Sequence, residues 1–343
     1  MATFFKKEEM LPEAICLGEI LIDMIPDKKG VSWREISSFS PVPGGAPANV
    51  CIGLAKLGVK AGFIGKVGDD PFGRMLVDTL QRNGVDTSQV RFDSIIRTTL
   101  AFVSVNERGE NDFTFYRNPG ADMVLRSEEL NENFIASSRA FHFGSISMTG
   151  EPCYSATLQA VQFAHKHKLF VSFDPNLRPR LWRNLREAKS KIMEGLKNAD
   201  LVKINTMELE FITGTKDLIK GTDWILQNGP KVALVTQGER GSFFHNKNGF
   251  VSVPTYKIKT MDTVGCGDAF NAAVIYQLLL LDKKGKDIFN LSEEEMREIL
   301  RFANASGALT ATKKGVIPSL PTRKQIEQFL HNSTNKPAGN EIN

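Results

Sequence analysis

Four cysteines in 343 residues, Cys16, Cys51, Cys153 and Cys266, are too few and too widely spaced for a disulfide framework or a zinc site. They read as free thiols of a reducing compartment, so a cytoplasmic location is expected. Charge of one sign is equally scarce. Lys plus Arg number 43 against 39 Asp plus Glu, a net +4 with no polybasic block, so neither nucleic acid nor an anionic membrane is expected as a partner. No apolar run reaches the ~18 residues that a transmembrane helix needs. The five histidines show no metal-ligand spacing. Gly-x-x-x-x-Gly-Lys-Ser/Thr is missing, which argues against a P-loop enzyme, and so is Gly-x-Gly-x-x-Gly, which weakens a dinucleotide site. No Ser/His/Asp or Cys/His set stands out.

What the chain does have is glycine set against acid. Asp262-Thr263-Val264-Gly265-Cys266-Gly267-Asp268-Ala269-Phe270 runs into an apolar, helix-like segment, 272–281. Glycines allow a sharp turn and close backbone approach, so the N–H groups of Gly265, Cys266 and Gly267 can converge at the positive end of that helix and hold an anion. A carboxylate is a poor phosphate ligand. The role that fits Asp268 is to take the proton from a hydroxyl attacking the phosphate. An isolated Gly-x-Gly-Asp is more often only a helix start with Asp as its cap, so other parts of the chain must decide.

Residues 14–25 read as one buried strand, interrupted by Glu19 and Asp23; buried carboxylates need a partner or a task. Pro43-Gly44-Gly45-Ala46-Pro47-Ala48-Asn49 precedes a helix-like stretch, 50–57, and Asn49 offers a donor and an acceptor that suit a neutral polyol. Strand-like 61–67, 140–145, 169–174, 201–204 and 232–236 alternate with helix-like 72–83, 154–167 and 207–213. That alternation predicts an α/β fold with a mostly parallel sheet and helices on both faces. Several strands close on polar groups: Asp174-Pro175-Asn176-Leu177-Arg178, Asn205-Thr206-Met207-Glu208 and Gln237-Gly238-Glu239-Arg240-Gly241. Such ends share one edge of an open sheet and form one cleft. Asn205 and Glu208 also have the spacing of a capping box. Residues 98–106 and 112–117, with a turn at 107–110, read as a hairpin. With strands drawn from about 24–43 and 96–118, it would form a small β flap over the cleft. Residues 292–312 and 322–330 read as capped helices, 1–13 as an N-terminal extension and 331–343 as a disordered tail, leaving 14–330 as a single domain.

In that order and at that separation, Gly44-Gly45-Ala46-Pro47-Ala48-Asn49 and Asp262 to Asp268 resemble the two signatures of the ribokinase (PfkB) family of carbohydrate kinases. The likeness covers about residues 15–330. Phe115-Tyr116-Arg117-Asn118-Pro119-Gly120-Ala121-Asp122-Met123, His142-Phe143-Gly144-Ser145-Ile146-Ser147, and Asp174 to Arg178 with Leu181-Trp182 make it most similar to the fructokinase branch. The resemblance implies a ribokinase-like fold and ATP-dependent phosphorylation of D-fructose to fructose 6-phosphate. Asp268 would be the base, with the backbone of Gly265, Cys266 and Gly267 as the anion hole. Asp23, Gly44, Gly45 and Asn49 match sugar-binding positions, and Arg178 is a candidate phosphate partner. Asn205 and Glu208 match the element that organises Mg²⁺ and phosphate, Glu208 acting through water. Thr236, Gly238 and Gly241 match the nucleotide loop, and Asn304 the adenine pocket. In members activated by K⁺ or a similar ion, Asp262 and Val264 share a monovalent-cation site with the 310–319 loop, here Thr310, Lys313, Gly315 and Ser319.

The runner-up activity is that of a 2-keto-3-deoxygluconate kinase, which shares Asp-x-Asn-x-Arg and would want Arg97 or Arg117 as the partner of its acid substrate. A catalytically inactive binding homologue should have lost the base or the glycines, and Gly265, Gly267 and Asp268 are all present. Cys266 stands where the family has a small residue, usually Ala. At a helix N-terminus its thiol is expected to have a lowered pKa and raised reactivity. An apolar flap face, together with the resemblance, implies a homodimer.

Overall fold

The computed structural model describes residues 11–28, 30–105 and 111–334. Among these residues thirteen strands divide between two sheets. The large one contains β1 (Ala14–Leu17), β4 (Ala61–Gly68), β5 (Asp86–Asp93), β8 (Ala140–Gly144), β9 (Phe170–Asp174), β10 (Leu201–Asn205), β11 (Val232–Thr236), β12 (Ser242–Asn246) and β13 (Gly249–Val253). Their order is β13-β12-β11-β10-β9-β8-β1-β4-β5, parallel except for β12, which pairs antiparallel with both β11 and β13 at one edge. The small sheet is β3-β2-β6-β7, from β2 (Leu21–Pro26), β3 (Phe39–Gly44), β6 (Leu100–Val105) and β7 (Asn111–Tyr116). The expected hairpin is β6–β7, paired from Leu100↔Tyr116 to Val105↔Asn111; the turn expected at 107–110 lies outside the described residues.

The apolar run 14–25 is not one strand. It breaks at Gly18, whose φ of +152° and contact with Pro47, 2.5 Å from where a Cβ would stand, turn the chain out of the large sheet and into the flap. That break is what lifts Asp23 over the sheet edge.

Among the described residues eleven α-helices accompany the sheets: α1 (Ala46–Lys56), α2 (Pro71–Arg82), α3 (Glu132–Ala136), α4 (Cys153–Lys166), α5 (Leu185–Lys197), α6 (Thr206–Thr213), α7 (Leu218–Gln227), α8 (Cys266–Lys283), α9 (Glu293–Ala311), α10 (Val316–Ser319) and α11 (Arg323–Thr334). Strand side chains alternate between two cores. Ala14, Cys16, Ala61 and Phe63 pack with α1, α8 and α9, whereas Ile15, Leu17, Phe141, Phe143 and Phe173 pack with α4, α5 and α6. Phe143 and Phe173 stack at 4.6 Å, and truncation of either to Ala would cost about 3–5 kcal/mol.

The termini shift the expected boundaries. The backbone of Glu13 already bonds Lys60 and Arg139, and α11 continues through His331 to Thr334, four residues into the segment read as a tail. The rest of the expected extension and tail, 1–10 and 335–343, lies outside the described residues.

Candidate active site

Because β1 and β8 to β11 run parallel, their C-terminal ends fall along one edge. The flap rises from that edge at Leu21, and α8 points its N-terminus toward it. Gly265 is the N-cap of α8, in the left-handed conformation (φ +81°), and no side chain caps the helix. Its absent Cβ matters twice, since one would stand 2.3 Å from Val316 Cγ1. Asp268 is the third residue of the helix and not its cap, so the capping explanation of this aspartate fails.

Asp268 instead meets the sugar motif. Asn49, in the first turn of α1, donates Nδ2 to Asp268 Oδ2 at 2.8 Å across 219 residues of chain. Its Oδ1 is buried without a hydrogen-bond partner among the described residues. Burial pushes Asp268 up to about 6; the Asn49 bond opposes this, Asp174 adds to it, and Lys203 and Arg178 pull back. Asp23 is pushed up to about 7 by burial, against Arg178 and with Asp268. A Cβ on Gly44 would lie 2.2 Å from Asp23 Oδ2, so that glycine makes room for the carboxylate. Glu19 is tied down through one oxygen, its Oε2 being buried without a hydrogen-bond partner among the described residues. Its Oε1 accepts Ala46 N at 3.0 Å, fixing the start of α1, while burial raises it to about 8.

Lys203 was not legible as a site residue, although a lysine inside the otherwise apolar strand β10 was a signal. Its Nζ bonds Asp174 Oδ2 at 2.9 Å, and it lies 2.9 Å from where a Cβ on Gly267 would be. A buried ammonium therefore faces the Gly267 backbone at the start of α8. Burial disfavours its charge, but Asp174, Glu208 and Asp268 outweigh that and raise its pKa.

Asn205 and Glu208 form the capping box: Asn205 Oδ1 accepts Glu208 N at 2.9 Å and Glu208 Oε2 accepts Asn205 N at 2.8 Å. Glu208 Oε1 also accepts Leu177 N at 2.8 Å, tying α6 to the segment that carries Arg178. Arg178 donates to Asn176 Oδ1 at 2.8 Å, with its guanidinium 5.7 Å from the Phe113 ring centre. Thr236 Oγ1 donates to Ile204 O, Gly238 (φ +60°) borders open space, and Gly241 lets β12 approach Val253 O, 2.1 Å from where a Cβ would stand. Asp262 accepts from Val264 N at 3.1 Å and Gly315 N at 3.5 Å. Ser319 Oγ donates to the Gly315 and Val316 carbonyls. Asp262, Val264, Gly315 and Ser319 are thus brought together, and Lys313 N donates to Thr310 O just before them.

Three expectations are corrected. Arg117 is no pocket cation: it is buried, with Nε on Asp122 (2.7 Å), Nη1 on Thr149 (2.8 Å) and Nη2 on the Ile146 carbonyl (3.1 Å), which clamps the root of the flap. Asn304 does not present its amide to a base. Its Oδ1 accepts Ser242 Oγ at 2.8 Å and its Nδ2 donates to the Val253 and Pro254 carbonyls, tying α9 to β12 and β13. Cys266 departs from the expected lowered pKa: burial, then Asp262 and Asp268, push its thiol up to about 12, against the lowering by a hydrogen bond from its own backbone N–H.

A carboxylate pinned beside backbone N–H groups at a helix N-terminus, under a flap carrying a second acid, defines a kinase that phosphorylates a small hydroxylated substrate. The chain belongs to the pfkB family of carbohydrate kinases, whose model matches residues 12–323. It is 46% identical over 318 residues to probable fructokinase-2 of Arabidopsis thaliana, covering 92% of this chain and 95% of that protein. The fructokinase of Xylella fastidiosa with bound ATP superposes with a TM-score of 0.85 at 31% identity, covering 95% of this chain and all of that one. A double mutant of Vibrio cholerae fructokinase, with fructose, ADP and potassium ion bound, gives 0.81 at 31% identity over 93% of this chain and 98% of that one.

Proposed function

We infer that this protein is an ATP-dependent fructokinase that forms fructose 6-phosphate. The observation that carries the reading is the Asn49–Asp268 contact at 2.8 Å, which holds a raised-pKa carboxylate between the sugar motif and the anion hole. Asp23, Gly45 and the unpartnered Asn49 Oδ1 orient fructose under the flap. Asp268 takes the proton of the primary hydroxyl as its oxygen bonds the γ-phosphorus; the bond from phosphorus to the bridging oxygen breaks and ADP leaves. The N–H groups of Gly265, Cys266 and Gly267, with Lys203, stabilise the charge on the equatorial oxygens.

Mg²⁺ bound with ATP would supply further neutralisation of the phosphates, and Asn205 and Glu208 lie on the strand edge where its hydration shell would be held. A carboxylate with backbone carbonyls at Asp262, Val264, Thr310, Lys313, Gly315 and Ser319 is a donor set suited to a weakly hydrated monovalent ion such as K⁺. Thr236, Gly238 and Gly241 border the nucleotide. Loss of Arg117 as a free cation removes one argument for 2-keto-3-deoxygluconate. Buried free thiols suit a cytoplasmic protein, and among the described residues no helix is long and apolar enough to cross a membrane.

The flap turns out a cluster of Trp33, Phe39, Phe102 and Tyr116, with Phe102 5.0 Å from Phe39 and 5.1 Å from Tyr116, and Trp33 and Tyr116 are exposed. A homodimer joined through the flaps would cover it; sedimentation equilibrium showing only monomer at micromolar concentration would count against that.

The deciding experiment is ATP-dependent phosphorylation of fructose, glucose, ribose, adenosine and 2-keto-3-deoxygluconate, with Mg²⁺ present and K⁺ varied. Fructose is expected to be preferred, and turnover of the keto-acid alone would overturn the sugar assignment. On fructose, log kcat should fall with a slope near one below about pH 6, where Asp268 gains its proton, and level off above it. A flat profile down to pH 5 would remove Asp268 as the titrating base.

A further inference from the structure

We propose that Lys56 is a positioning residue for the anion hole, holding the 315–320 turn so that Val316 seats against Gly265. Lys56 is the last residue of α1 and is half-buried. Its Nζ donates to two carbonyls, those of Ile317 and, at 3.2 Å, of Leu320, at the C-terminal end of α10. A lysine at this point satisfies orphaned helix carbonyls and meets the negative end of their dipoles. Burial and the neighbouring Lys313 lower its pKa, so the ammonium is kept there against its own desolvation.

The turn it holds is part of the catalytic surface. Val316, the first residue of α10, is buried and fills the space a Cβ on Gly265 would need, 2.3 Å from Cγ1. The same turn is joined to Asp262 by Gly315 N at 3.5 Å. The other end of α1 carries Asn49, whose bond holds Asp268. Seven residues of helix, about 10 Å, therefore connect both sides of the N-terminus of α8: the base through Asn49, and the Gly265 turn through Lys56 and Val316. Displacement of Val316 would let Gly265 relax and turn its N–H from the transferring phosphoryl group. Asn49 lies at the opposite end of α1 and Asp23 on β2, so the ground-state sugar contacts proposed for them should be little altered.

The inference rests on the kinase reading, so wild type and variants are assayed together. Lys56→Met keeps the aliphatic stem and removes the donors; Lys56→Arg keeps charge and donors. With fructose and ATP, Lys56→Met is expected to lower kcat about tenfold, in line with the sensitivity of transfer to small misplacements. The KM for fructose should change less than twofold, the K⁺ concentration for half-maximal rate should rise, and Lys56→Arg should recover most of the loss. Thermal melts run in parallel separate this from instability. A folded Lys56→Met with wild-type kcat and K⁺ dependence would overturn the proposal, as would a loss confined to Tm or to the fructose KM. Absence of turnover by wild type itself would instead overturn the kinase assignment.

Discussion

Asp268→Asn is expected to lower kcat by about 10²–10⁴ while leaving the KM for fructose nearly unchanged. Asparagine retains an oxygen that can accept from Asn49 Nδ2, so the 2.8 Å contact and the start of α8 persist and only the proton acceptor is lost. Stability provides the control. The folded pKa of Asp268, about 6, lies above its ordinary value, so its contribution to stability is complete at low pH and is lost as pH rises through 6. The neutral variant escapes that loss, and its Tm at pH 7.5 should equal or exceed that of wild type. Steady-state kinetics beside thermal melts make the test. Near-normal turnover in a folded Asn variant would strike Asp268 from the mechanism, and a lower Tm would assign the aspartate a structural task after all.

The second large effect belongs to Lys203. Lys203→Met should lower kcat by about 10²–10³, the range for loss of one preorganised charge donor at the transferring group. It should also destabilise the fold by about 3–5 kcal/mol, because Asp174 is left buried without its counter-ion. Two consequences of one substitution are separable by a second. In Lys203→Met/Asp174→Asn the directly bonded ion pair is removed from both sides, so much of the stability should return while the kcat deficit stays. If activity returned with stability, Lys203 would be a structural cation of the sheet and not a partner of the phosphate. Urea denaturation and initial rates on the two variants decide between these outcomes.

The fold was legible because its signals are local. Apolar runs of strand length, glycines after helices and the boxes at Asn205–Glu208 and Ser292–Glu295 each depend on neighbours in sequence, and the structure contains them. Less visible were strand β5, polar on most positions at the sheet edge, and the amphipathic helices α5 and α7, although Asn184 and Asp217 cap their first turns. The break at Gly18 was hidden inside a run whose hydrophobicity does not change when the chain passes from one sheet to the other.

Among the site residues, the sequence by itself determined which groups have the chemistry: Gly265, Gly267 and Asp268 at one helix start, Asn49 behind a glycine pair, and Asp23 in an apolar strand. Residue type and spacing are enough for that, since a helix terminus and a glycine turn are built from consecutive residues. Only the tertiary structure decided which charges are free to act. Arg117 and Asn304 carry the right groups, yet Asp122, Thr149, Ser242 and the Val253 carbonyl already occupy them. Lys203 looked like a strand residue, yet Asp174 and the bare backbone of Gly267 leave its ammonium at the start of α8. Cys266 lies at a helix start that should favour a thiolate, yet burial beside Asp262 and Asp268 keeps it protonated. The physical reason is common to all four. Desolvation and hydrogen-bond occupancy are set by residues distant in sequence, and a buried polar group is available for chemistry only when the fold has not already satisfied it.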